Sequence, residues 1–380
     1  MSPTSASVAE APWPRAEPAA LTPGPEQEQL RETLRALLAK HSGIEQVRAA
    51  ADSGTGYSEP LWRQLVDEMS VTTLAVPEEF GGLGYGTAEL AIILEECGRA
   101  LVCEPVLNSA VLGTQALLTA ATDTAGSFPE VLAGRSLATM STLETGTDEL
   151  YAHPGAEGWL VNGTITHLPG GATADIAVAS ADTPDGRRLF ALRLGPRTLR
   201  RPREVLDPTR RQADLIVRDC PAVALTTPGS TAAATARLHD LATLATACEN
   251  TGIVDRLLEL TVDYVGTRHQ FGRPIGSFQA VKHRLADLLV AVERARSASR
   301  YAAAVYAEDP GSARLAVAVA GAVCTEAAVL AASEAVQLHG GVGFTWEHPV
   351  HSYLRRALGN EAAQGDSRTH RARIADLIGI

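Results

Sequence analysis

Two short clusters of residues in this chain of 380 residues have side chains and backbone suited to binding a phosphate-bearing ligand. The first cluster runs Arg268-His-Gln-Phe-Gly-Arg-Pro-Ile-Gly-Ser-Phe-Gln279 and joins two predicted helices. Its arginines carry guanidinium groups, which bind phosphate oxygens in bidentate fashion, and Pro274 with the nearby glycines forces a turn. The alternative interpretation is a plain turn between helices with solvated arginines.

The second cluster, Gln337-Leu-His-Gly-Gly-Val-Gly-Phe344, follows another predicted helix. Glycine allows backbone N–H groups to approach a pyrophosphate closely. The alternative here is a helix C-cap that happens to contain extra glycines. Each cluster alone is a weak signal, but the two together, in an order of helices, strands and helices, favour a phosphate-bearing ligand.

The sequence has no pattern typical of a metal site or of a nucleotide-binding loop. A P-loop is absent, as is a Gly-x-Gly-x-x-Gly run after a strand, and no His-x-x-x-His pair occurs with a supporting acid. The five cysteines are widely spaced and form no Cys-x-x-Cys pair, which favours reduced core thiols over a disulfide framework or a zinc site. We therefore expect no bound metal.

The elements that must position the two clusters follow from changes in residue pattern along the chain. Residues 1–25 are rich in Pro, Ala and Ser and predict a flexible arm. Residues 26–133 have apolar residues at helical spacing and predict an N-terminal helical domain. Residues 134–228 contain short apolar segments between turn residues and predict a central β-domain, and residues 229–380 predict a C-terminal helical bundle. The fold class is therefore α+β and mainly α.

The individual elements are expected as follows. The predicted strands are 136–143, 158–165, 174–180, 188–194 and 213–218. In the N-terminal domain, the longer predicted helices are about 87–101 and 105–121. The predicted helices of the C-terminal bundle are 232–267, 277–307, 310–338 and 367–378.

Charge and hydropathy exclude some classes of partner. The net charge is −11, which is a poor match for nucleic acid or an anionic lipid surface. We find no run of 18 apolar residues and no apolar block after a charged start, so we expect neither a membrane span nor a secretion signal. The sequence thus predicts a cytoplasmic protein.

The motifs resemble those of the acyl-CoA dehydrogenase family of flavoproteins. Residues 264–287 are similar to the family signature almost throughout, and so is the segment 337–349. The loop Val76-Pro-Glu-Glu-Phe-Gly-Gly-Leu-Gly84 is similar to a loop in the family's helical domain. The resemblance covers roughly residues 26–378. It implies N-terminal helices, a small central β-barrel and a C-terminal four-helix bundle.

The resemblance also implies FAD bound at a subunit interface, in a homo-oligomer or with an unlike homologous subunit, commonly as a tetramer. Position by position, it assigns the adenine and pyrophosphate end of FAD to Arg268, Phe271 and Gln279. It assigns contacts with the same cofactor from the adjoining subunit to Gln337, Gly340 and Gly341.

The chain departs from the family where the family places its catalytic base. The family removes the α-proton of an acyl thioester with a carboxylate while the flavin takes a hydride from the β-carbon. The usual glutamate position aligns with Gln364, and the other known position, at the start of the first bundle helix, aligns with Ala242. An amide cannot accept a proton at neutral pH, so both positions lack a base. Asp240 falls where the family often places an aspartate near the acyl-CoA.

The flavin pocket departs from the family too. The family's Trp-Ile-Thr, which packs on the isoalloxazine ring and hydrogen-bonds it, aligns with His167-Leu-Pro169. Pro169 has neither a hydroxyl nor a backbone N–H. The family loop before it is reduced to a remnant at residues 142–148. His167 is a candidate base, although packing in place of the tryptophan is the favoured interpretation.

Two carboxylates are further candidates for the missing base. Glu249 lies about two helical turns after Ala242, and Glu361 lies three residues before Gln364 in what the pattern predicts to be a less regular stretch. The alternative roles are a surface or capping acid for Glu249 and a solvated linker acid for Glu361.

The sequence is compatible with three functions. The first is FAD-dependent dehydrogenation of an acyl thioester, either acyl-CoA or an acyl group on a carrier protein, with a non-standard base and an electron-transfer acceptor. The second is a non-catalytic subunit of a heteromeric acyl-CoA dehydrogenase. The third is dehydrogenation at an unusual position further along the acyl chain, which would relax the need for a base beside the α-carbon.

Overall fold

The computed structural model describes residues 21–120, 128–141, 149–156 and 158–380. Within these residues helices come first, seven strands follow in the middle of the chain, and five helices with one short hairpin between the first two of them occupy the part from Pro228 onward. The expected fold class is therefore confirmed. Most of the predicted arm, and the loop remnant at 142–148, lie outside the described residues.

The N-terminal unit is helical, as expected. Its first helix begins at Pro25, where the missing backbone N–H costs nothing, and the Gln27 side chain accepts a hydrogen bond from the Gly24 backbone N–H. The segment predicted as one helix over 105–121 is π-helical in its first half, Val106–Gly113. The helices are α1 Pro25–His41, α2 Ile44–Asp52, α3 Glu59–Asp67, α4 Thr87–Arg99, α5 Thr114–Leu117 and α6 Phe128–Leu132.

The central unit is a small barrel. Its strands are β1 Ala138–Met140, β2 Glu149–Gly155, β3 Gly158–Pro169, β4 Ile176–Thr183, β5 Gly186–Arg193, β6 Leu199–Arg203 and β7 Gln212–Ala224. The pairings run β4–β2–β3–β7–β5, and β5 pairs back to β4, which closes five strands on themselves. Short aliphatic side chains and Phe190 fill the interior. β1 and β6 lie outside the ring, on β4 and β7.

Strands β2 and β6 were not predicted from the sequence, and the reasons are physical. β2 ends in Pro154 and Gly155, two residues that are disfavoured in strands. β6 has the sequence Leu-Arg-Arg-Pro-Arg, and most of it is exposed at the edge of the sheet. Charged residues and proline are typical of edge strands, so the usual apolar signal of a strand is absent there.

The C-terminal helices form a bundle. They are α7 Pro228–Thr267, α8 Gln279–Glu308, α9 Arg314–His339, α10 Val350–Gln364 and α11 Ser367–Ile378. A hairpin of two short strands, β8 His269–Gln270 and β9 Arg273–Pro274, joins α7 to α8. The expectation that Glu361 lies in a less regular stretch is wrong, because it belongs to α10. Val350, Tyr353 and Ala357 mark the buried face of that helix at helical spacing.

The expectation that no segment is apolar enough to span a membrane needs correction. Residues Arg314–Phe344 meet the criteria of length and composition. However, 72% of the most apolar window in this segment is buried inside the protein. Its core is α9, which packs against α7, α8, α10 and α11, so its apolar character is explained by its place at the centre of the bundle.

Helices α4 and α7 cross at very close range because each has a glycine at the contact. A Cβ atom on Gly252 would lie 1.8 Å from the carbonyl oxygen of Glu95. A Cβ atom on Gly98 would lie 2.1 Å from the carbonyl oxygen of Glu249. The N-terminal helices are thereby seated directly on the helix that carries much of the site described below.

We expect Gly252→Ala to lower the free energy of unfolding by about 1–3 kcal/mol, because the added methyl group forces two backbones apart. The matched control is Gly266→Ala in the same helix, where a Cβ atom would meet nothing within 4 Å. That control should be neutral or stabilising by about 0.5–1 kcal/mol. Urea denaturation of both variants tests the difference, and equal stabilities would contradict this account of the α4–α7 contact.

Candidate functional site

A cavity of about 650 Å³ lies where the barrel meets α7 and α10. β1 and β3 form its barrel wall, α7 and α10 form its helical walls, and the π-helical segment contributes Leu107, Asn108 and Leu112. The loop between β6 and β7 closes a further side. Apolar residues make up about half of the lining, and polar groups are placed among them at a few points, which is typical of a ligand pocket.

Two helices present matching rows of side chains to this cavity. His239, Ala242 and Thr246 of α7 follow one another at spacings of three and four residues and therefore share one face. Asn360 and Gln364 of α10 are four residues apart and share a face for the same reason. The cavity thus brings together the two positions that the family resemblance assigns to the base, and they hold Ala242 and Gln364.

The barrel wall has an irregular strand beside the cavity. The register between β3 and β7 shifts between Ile165 and Leu168, and His167 there has a φ of +52°. A bulge of this kind changes the direction of a side chain, and such bulges are over-represented beside active sites. The backbone N–H of His167 donates to Asp214 at 3.0 Å, and Arg203 also contacts Asp214. His167 and Pro169 both line the cavity.

A cluster of buried charges lies at one end of the cavity. The Arg356 guanidinium has no exposed side-chain surface and donates to Asp207 at 2.6 Å and to Glu249 at 2.8 Å. Its remaining donor group reaches the hydroxyl of Thr209 at 2.5 Å and the carbonyl oxygen of Val102 at 3.2 Å. Asp207 also lines the cavity. One side chain thus connects α10, α7, the loop between β6 and β7, and the segment that follows α4.

Glu249, a candidate base, lies within this charge cluster. Both of its carboxylate oxygens accept hydrogen bonds, one from Arg356 and Arg210 and the other from Asn360 at 3.0 Å. Burial alone would raise the pKa of the Glu249 carboxyl, but the positive charges of Arg210 and Arg356 outweigh burial and hold that pKa below its usual value. Glu249 is not among the described residues that line the cavity.

The structure places the other acidic candidates away from the cavity lining. Asp240 is 2% exposed and forms an ion pair with Arg373 of α11. The Nε of Arg314 also lies 3.9 Å from a carboxylate oxygen of Asp240. Burial raises the pKa of Asp240, although Arg373 opposes that effect. Among the described residues, neither Asp240 nor Glu361 lines the cavity, whereas their neighbours His239 and Asn360 do. The cavity therefore brings together Gln364, Ala242 and His167, but not the three acidic candidates.

The two glycine-containing clusters lie at the same end of the bundle. Tyr264, near the end of α7, stacks on His339 at the end of α9 with 4.3 Å between ring centroids. Its hydroxyl also donates to the carbonyl oxygen of His339 at 3.3 Å. These contacts hold the start of the segment 340–344 against the helix that leads into Arg268. The end of α7 and the end of α9 are thereby fixed relative to each other.

The residues assigned to the adenine end of FAD are on the surface. Arg268 and Gln279 are exposed, and Phe271, in the hairpin of β8 and β9, is 92% exposed. Gln337, Gly340 and Gly341 are exposed as well. Gly340 has a φ of +62°, and a Cβ atom on Gly341 would meet nothing within 4 Å. These groups are therefore available to a molecule or a subunit outside this chain.

A group of packed histidines behind the second cluster was not predicted from the sequence. His339 and His348 lie 4.2 Å apart between ring centroids, and His351 packs on Trp346 at 4.7 Å. Burial, with the nearby charges of His339 and His351, lowers the pKa of His348 to about 4. The imidazole of His348 is therefore neutral at pH 7, which allows close stacking. The spacing of these residues within the segment 337–351 does not predict this contact.

The charge cluster around Arg356 was missed as well, although one signal was available. An arginine that follows Tyr353 and precedes Ala357, on an apolar helical face, is a candidate for a buried charge that needs partners. Its partners Asp207 and Glu249 could not be found from spacing, because they are 149 and 107 residues away in the chain.

We expect Arg356→Met to lower the free energy of unfolding at pH 7 by about 3–5 kcal/mol, because the buried carboxylates of Asp207 and Glu249 lose their shared partner. The control Arg371→Met removes an exposed ion pair with Glu326 and should cost about 0–1 kcal/mol. Urea denaturation tests both variants. An equal loss in the two variants would contradict the role assigned to Arg356.

The difference in the free energy of unfolding between the wild type and Arg356→Met should depend on pH. The pKa of Glu249 is lowered in the folded chain, so its ion pairs contribute stability above the unfolded-state pKa of about 4.3 and lose it as pH falls through the folded-state pKa. The difference between the wild type and Arg356→Met should therefore shrink as pH falls below about 4. A difference that grows at low pH would contradict this assignment.

Comparisons with known proteins agree with the fold and the motifs. Residues 232–379 match the family model for the acyl-CoA dehydrogenase C-terminal domain, and residues 24–127 match the model for the N-terminal domain. Acyl-CoA dehydrogenase IpdE2 of Mycobacterium tuberculosis is 39% identical over 344 residues, which cover 90% of this chain and 93% of that protein. Acyl-CoA dehydrogenase FadE27 of the same organism is 32% identical over 334 residues, which cover 84% of this chain and 87% of that protein.

Two solved structures are similar over nearly the whole chain. The structure of the ChsE4-ChsE5 complex from Mycobacterium tuberculosis has a TM-score of 0.85 and 29% identity, covering 94% of this chain and 98% of that one. A variant of the Tcur3481-Tcur3483 steroid ACAD has a TM-score of 0.82 and 30% identity, covering 93% and 98%. Members of the matched family are FAD-binding oxidoreductases that act on CH–CH bonds, and tetrameric assembly is typical of them. This chain belongs to the acyl-CoA dehydrogenase family.

Proposed function

We propose that this chain is one subunit of a FAD-dependent acyl-CoA dehydrogenase built from unlike subunits, and that the partner provides the proton-abstracting carboxylate. The observation that carries the proposal is the composition of the cavity at the two base positions, Ala242 and Gln364. Among the described residues that line the cavity, Asp207 is the one carboxylate, and it is held by Arg356 and Thr209.

The proposal gives Glu249 and Glu361 no catalytic role. Glu249 uses both oxygens in the charge cluster, and moving it toward a substrate would leave Arg356 without one of its two counter-ions. A buried ion pair that loses one partner is strongly destabilised. Glu361 belongs to α10 but lies outside the cavity lining of the described residues. A general base must lie within hydrogen-bond reach of the proton that it removes, and neither carboxylate lines the cavity among the described residues.

The cofactor in the proposal is FAD, and the surface residues fit its adenine and pyrophosphate end. Arg268 offers a charge-assisted donor, Gln279 and Gln337 offer amides, and the backbone of Gly341 is open to close approach. When bound, the flavin supplies the acceptor for a hydride from the β-carbon of the acyl thioester, and an electron-transfer acceptor then takes the electrons. The cavity end fits less well, because Pro169 lacks the hydroxyl and N–H that the family uses there.

Two of the structural relatives support assembly from unlike subunits. One is the ChsE4-ChsE5 complex, and the other is the Tcur3481-Tcur3483 steroid ACAD. The exposed clusters of this chain would face such a partner, since the residues around Phe271 and Gly341 leave room for contact from outside. In this arrangement the chain binds one end of the cofactor and the partner completes the reaction centre.

The experiment is a comparison of the chain alone with the chain co-expressed beside an unlike homologue encoded near it. We expect the chain alone, supplied with FAD, to leave the flavin absorbance unchanged on anaerobic addition of acyl-CoA. The co-expressed pair should copurify, retain more FAD and reduce an artificial electron acceptor. A catalytically competent homo-oligomer would refute the proposal, and His167→Gln and His239→Gln would then locate the working base among the cavity imidazoles.

A second arm of this test restores the missing carboxylate. In the chain alone, Gln364→Glu should produce slow bleaching of the flavin by acyl-CoA, because a positioned base contributes about 10²–10⁴-fold in rate. The control is Glu361→Gln, which changes charge on the same helix outside the cavity and should have no effect on bleaching. If the chain is active before substitution, Gln364→Glu should change little or reduce the rate by adding like charge.

We also expect Arg268→Ala to weaken FAD retention without unfolding the chain. The substitution removes a hydrogen bond from a charged group to phosphate, worth about 1.5–3 kcal/mol. The control Arg63→Ala removes an exposed arginine in α3, far along the chain from either cluster. Flavin absorbance after desalting measures retention in both variants. Undiminished flavin in Arg268→Ala would contradict the assignment of this residue to the cofactor.

A further inference from the structure

We infer that the deep end of the cavity binds an uncharged oxygen acceptor, such as a ketone carbonyl, carried by the acyl group far from its thioester, and that Arg210 recognises it. The inference rests on the proposed function in one respect, which is that the ligand is an acyl thioester. It adds a specificity-determining residue and a substrate class to that function.

The depth of the cavity follows from its two helical walls. On α7, Ala242 at a base position is followed by Thr246 in the lining and then by Glu249, which is seven residues further along. With a helical rise of 1.5 Å per residue, Glu249 lies about 10 Å beyond Ala242. On α10, Gln364 and Asn360 line the cavity, and the fully buried Arg356 lies one turn beyond Asn360. Both rows therefore run from the base positions to the same charge cluster.

Exposure distinguishes the mouth of the cavity from its deep end. His239 and Gln364 are half-buried, and Thr369 beside them is exposed. Thr246 and Asn360, one turn further in, are buried. An acyl group whose α-carbon lies near Gln364 would therefore extend inward, toward Asn360 and Arg210.

Arg210 is the cation at this deep end that reaches the cavity itself. Its side chain is 14% exposed and lines the cavity. Its guanidinium contacts Glu249, while its Nε is buried with no hydrogen-bond partner among the described residues. The guanidinium of arginine has five N–H donors, so one carboxylate oxygen leaves most of its donor capacity unused. The part of the guanidinium that reaches the cavity can therefore donate to a ligand oxygen, and a ligand that buries it without an acceptor would pay the cost of an unpaired donor.

The charge balance of the deep end favours a neutral oxygen over a carboxylate. Arg210 and Arg356 supply two positive charges, and Glu249 and Asp207 supply two negative charges. A ligand carboxylate would add a further negative charge without a counter-ion in a buried site, which is costly. A carbonyl oxygen accepts hydrogen bonds from Arg210 and leaves the balance unchanged.

A plain alkyl chain suits this end of the cavity poorly. Hydrocarbon placed against the Arg210 guanidinium would displace water and offer no acceptor in return, whereas the amide N–H groups of Asn360 already donate to Glu249 and Asn250. Sites built to hydrogen-bond a ligand group discriminate strongly against the analogue that lacks it, because their buried polar groups are left unpaired. The polar deep end therefore selects oxygen-bearing acyl groups.

The test compares three CoA thioesters of equal chain length on the full-length wild-type chain supplied with FAD. The acyl groups are decanoyl, its counterpart that ends in a methyl ketone, and the half-thioester of decanedioic acid. Isothermal titration calorimetry measures each Kd. We expect the ketone to bind about tenfold or more tightly than decanoyl-CoA, in line with a hydrogen bond to a charged group, and more tightly than the dicarboxylic thioester. Equal affinities, tightest binding by the carboxylate, or no binding by any of the three would overturn the inference.

Arg210→Lys tests the assigned residue, because lysine keeps the positive charge opposite Glu249 but loses the planar fork of donors. The preference for the ketone should fall to about twofold or less in this variant, since one hydrogen bond to a charged group is lost. The control Arg201→Lys, on the exposed edge strand β6, should retain it. A preference that survives in Arg210→Lys would reassign recognition to another group and overturn the role of Arg210.

A failure of this inference can be distinguished from a failure of the proposed function. Turnover by the chain alone would refute the unlike-subunit proposal and leave the ketone preference intact. If Arg210→Lys fails to fold, the ligand series on the wild-type chain still decides the substrate class.

Discussion

The burial of the Arg356 guanidinium is the constraint on which the arrangement around the cavity depends. A guanidinium with no exposed surface must find charged and polar acceptors on every side. It finds them in Asp207 from the loop after β6, in Glu249 from α7, and in the carbonyl oxygen of Val102 after α4. Three parts of the chain that are far apart in sequence are thereby fixed to α10, and the cavity is the space left between them.

The ion pairs of Arg356 determine how the surrounding elements are arranged more than they add to the free energy of unfolding. Taking ions out of water is costly, and well-packed apolar residues of the same volume would often be as stable. Glu249 nevertheless stays ionised, because Arg210 and Arg356 overcome the effect of burial on its pKa. The close crossing of α4 and α7 at Gly98 and Gly252 is a second constraint, because it fixes the position of the Glu249 backbone. As a result, one end of the cavity is lined by polar and charged side chains.

The sequence predicted much of the fold, and the reasons for its failures are physical. Long helices with regular apolar spacing, such as α7 and α9, were predicted within a few residues. The apolar strands were predicted too, although β7 extends six residues beyond the predicted 213–218. β6 was missed because an edge strand needs no apolar face, and α10 was missed because its buried face carries an arginine as well as Val350 and Tyr353. Local spacing also could not predict that Asp240 would pair with Arg373 of α11, since the two are 133 residues apart.

The two ends of the candidate site depend on different parts of the fold, which explains how one can change without the other. The surface around Arg268 and Gly341 is held by the hairpin of β8 and β9 and by the stacking of Tyr264 on His339. The cavity end depends on the bulge at His167, on the helical faces that carry Ala242 and Gln364, and on the charge cluster beyond them. Substitutions at the base positions disturb neither the hairpin nor the stack. A chain can therefore keep a surface suited to a shared cofactor while its own cavity loses a base and keeps a polar deep end for recognition.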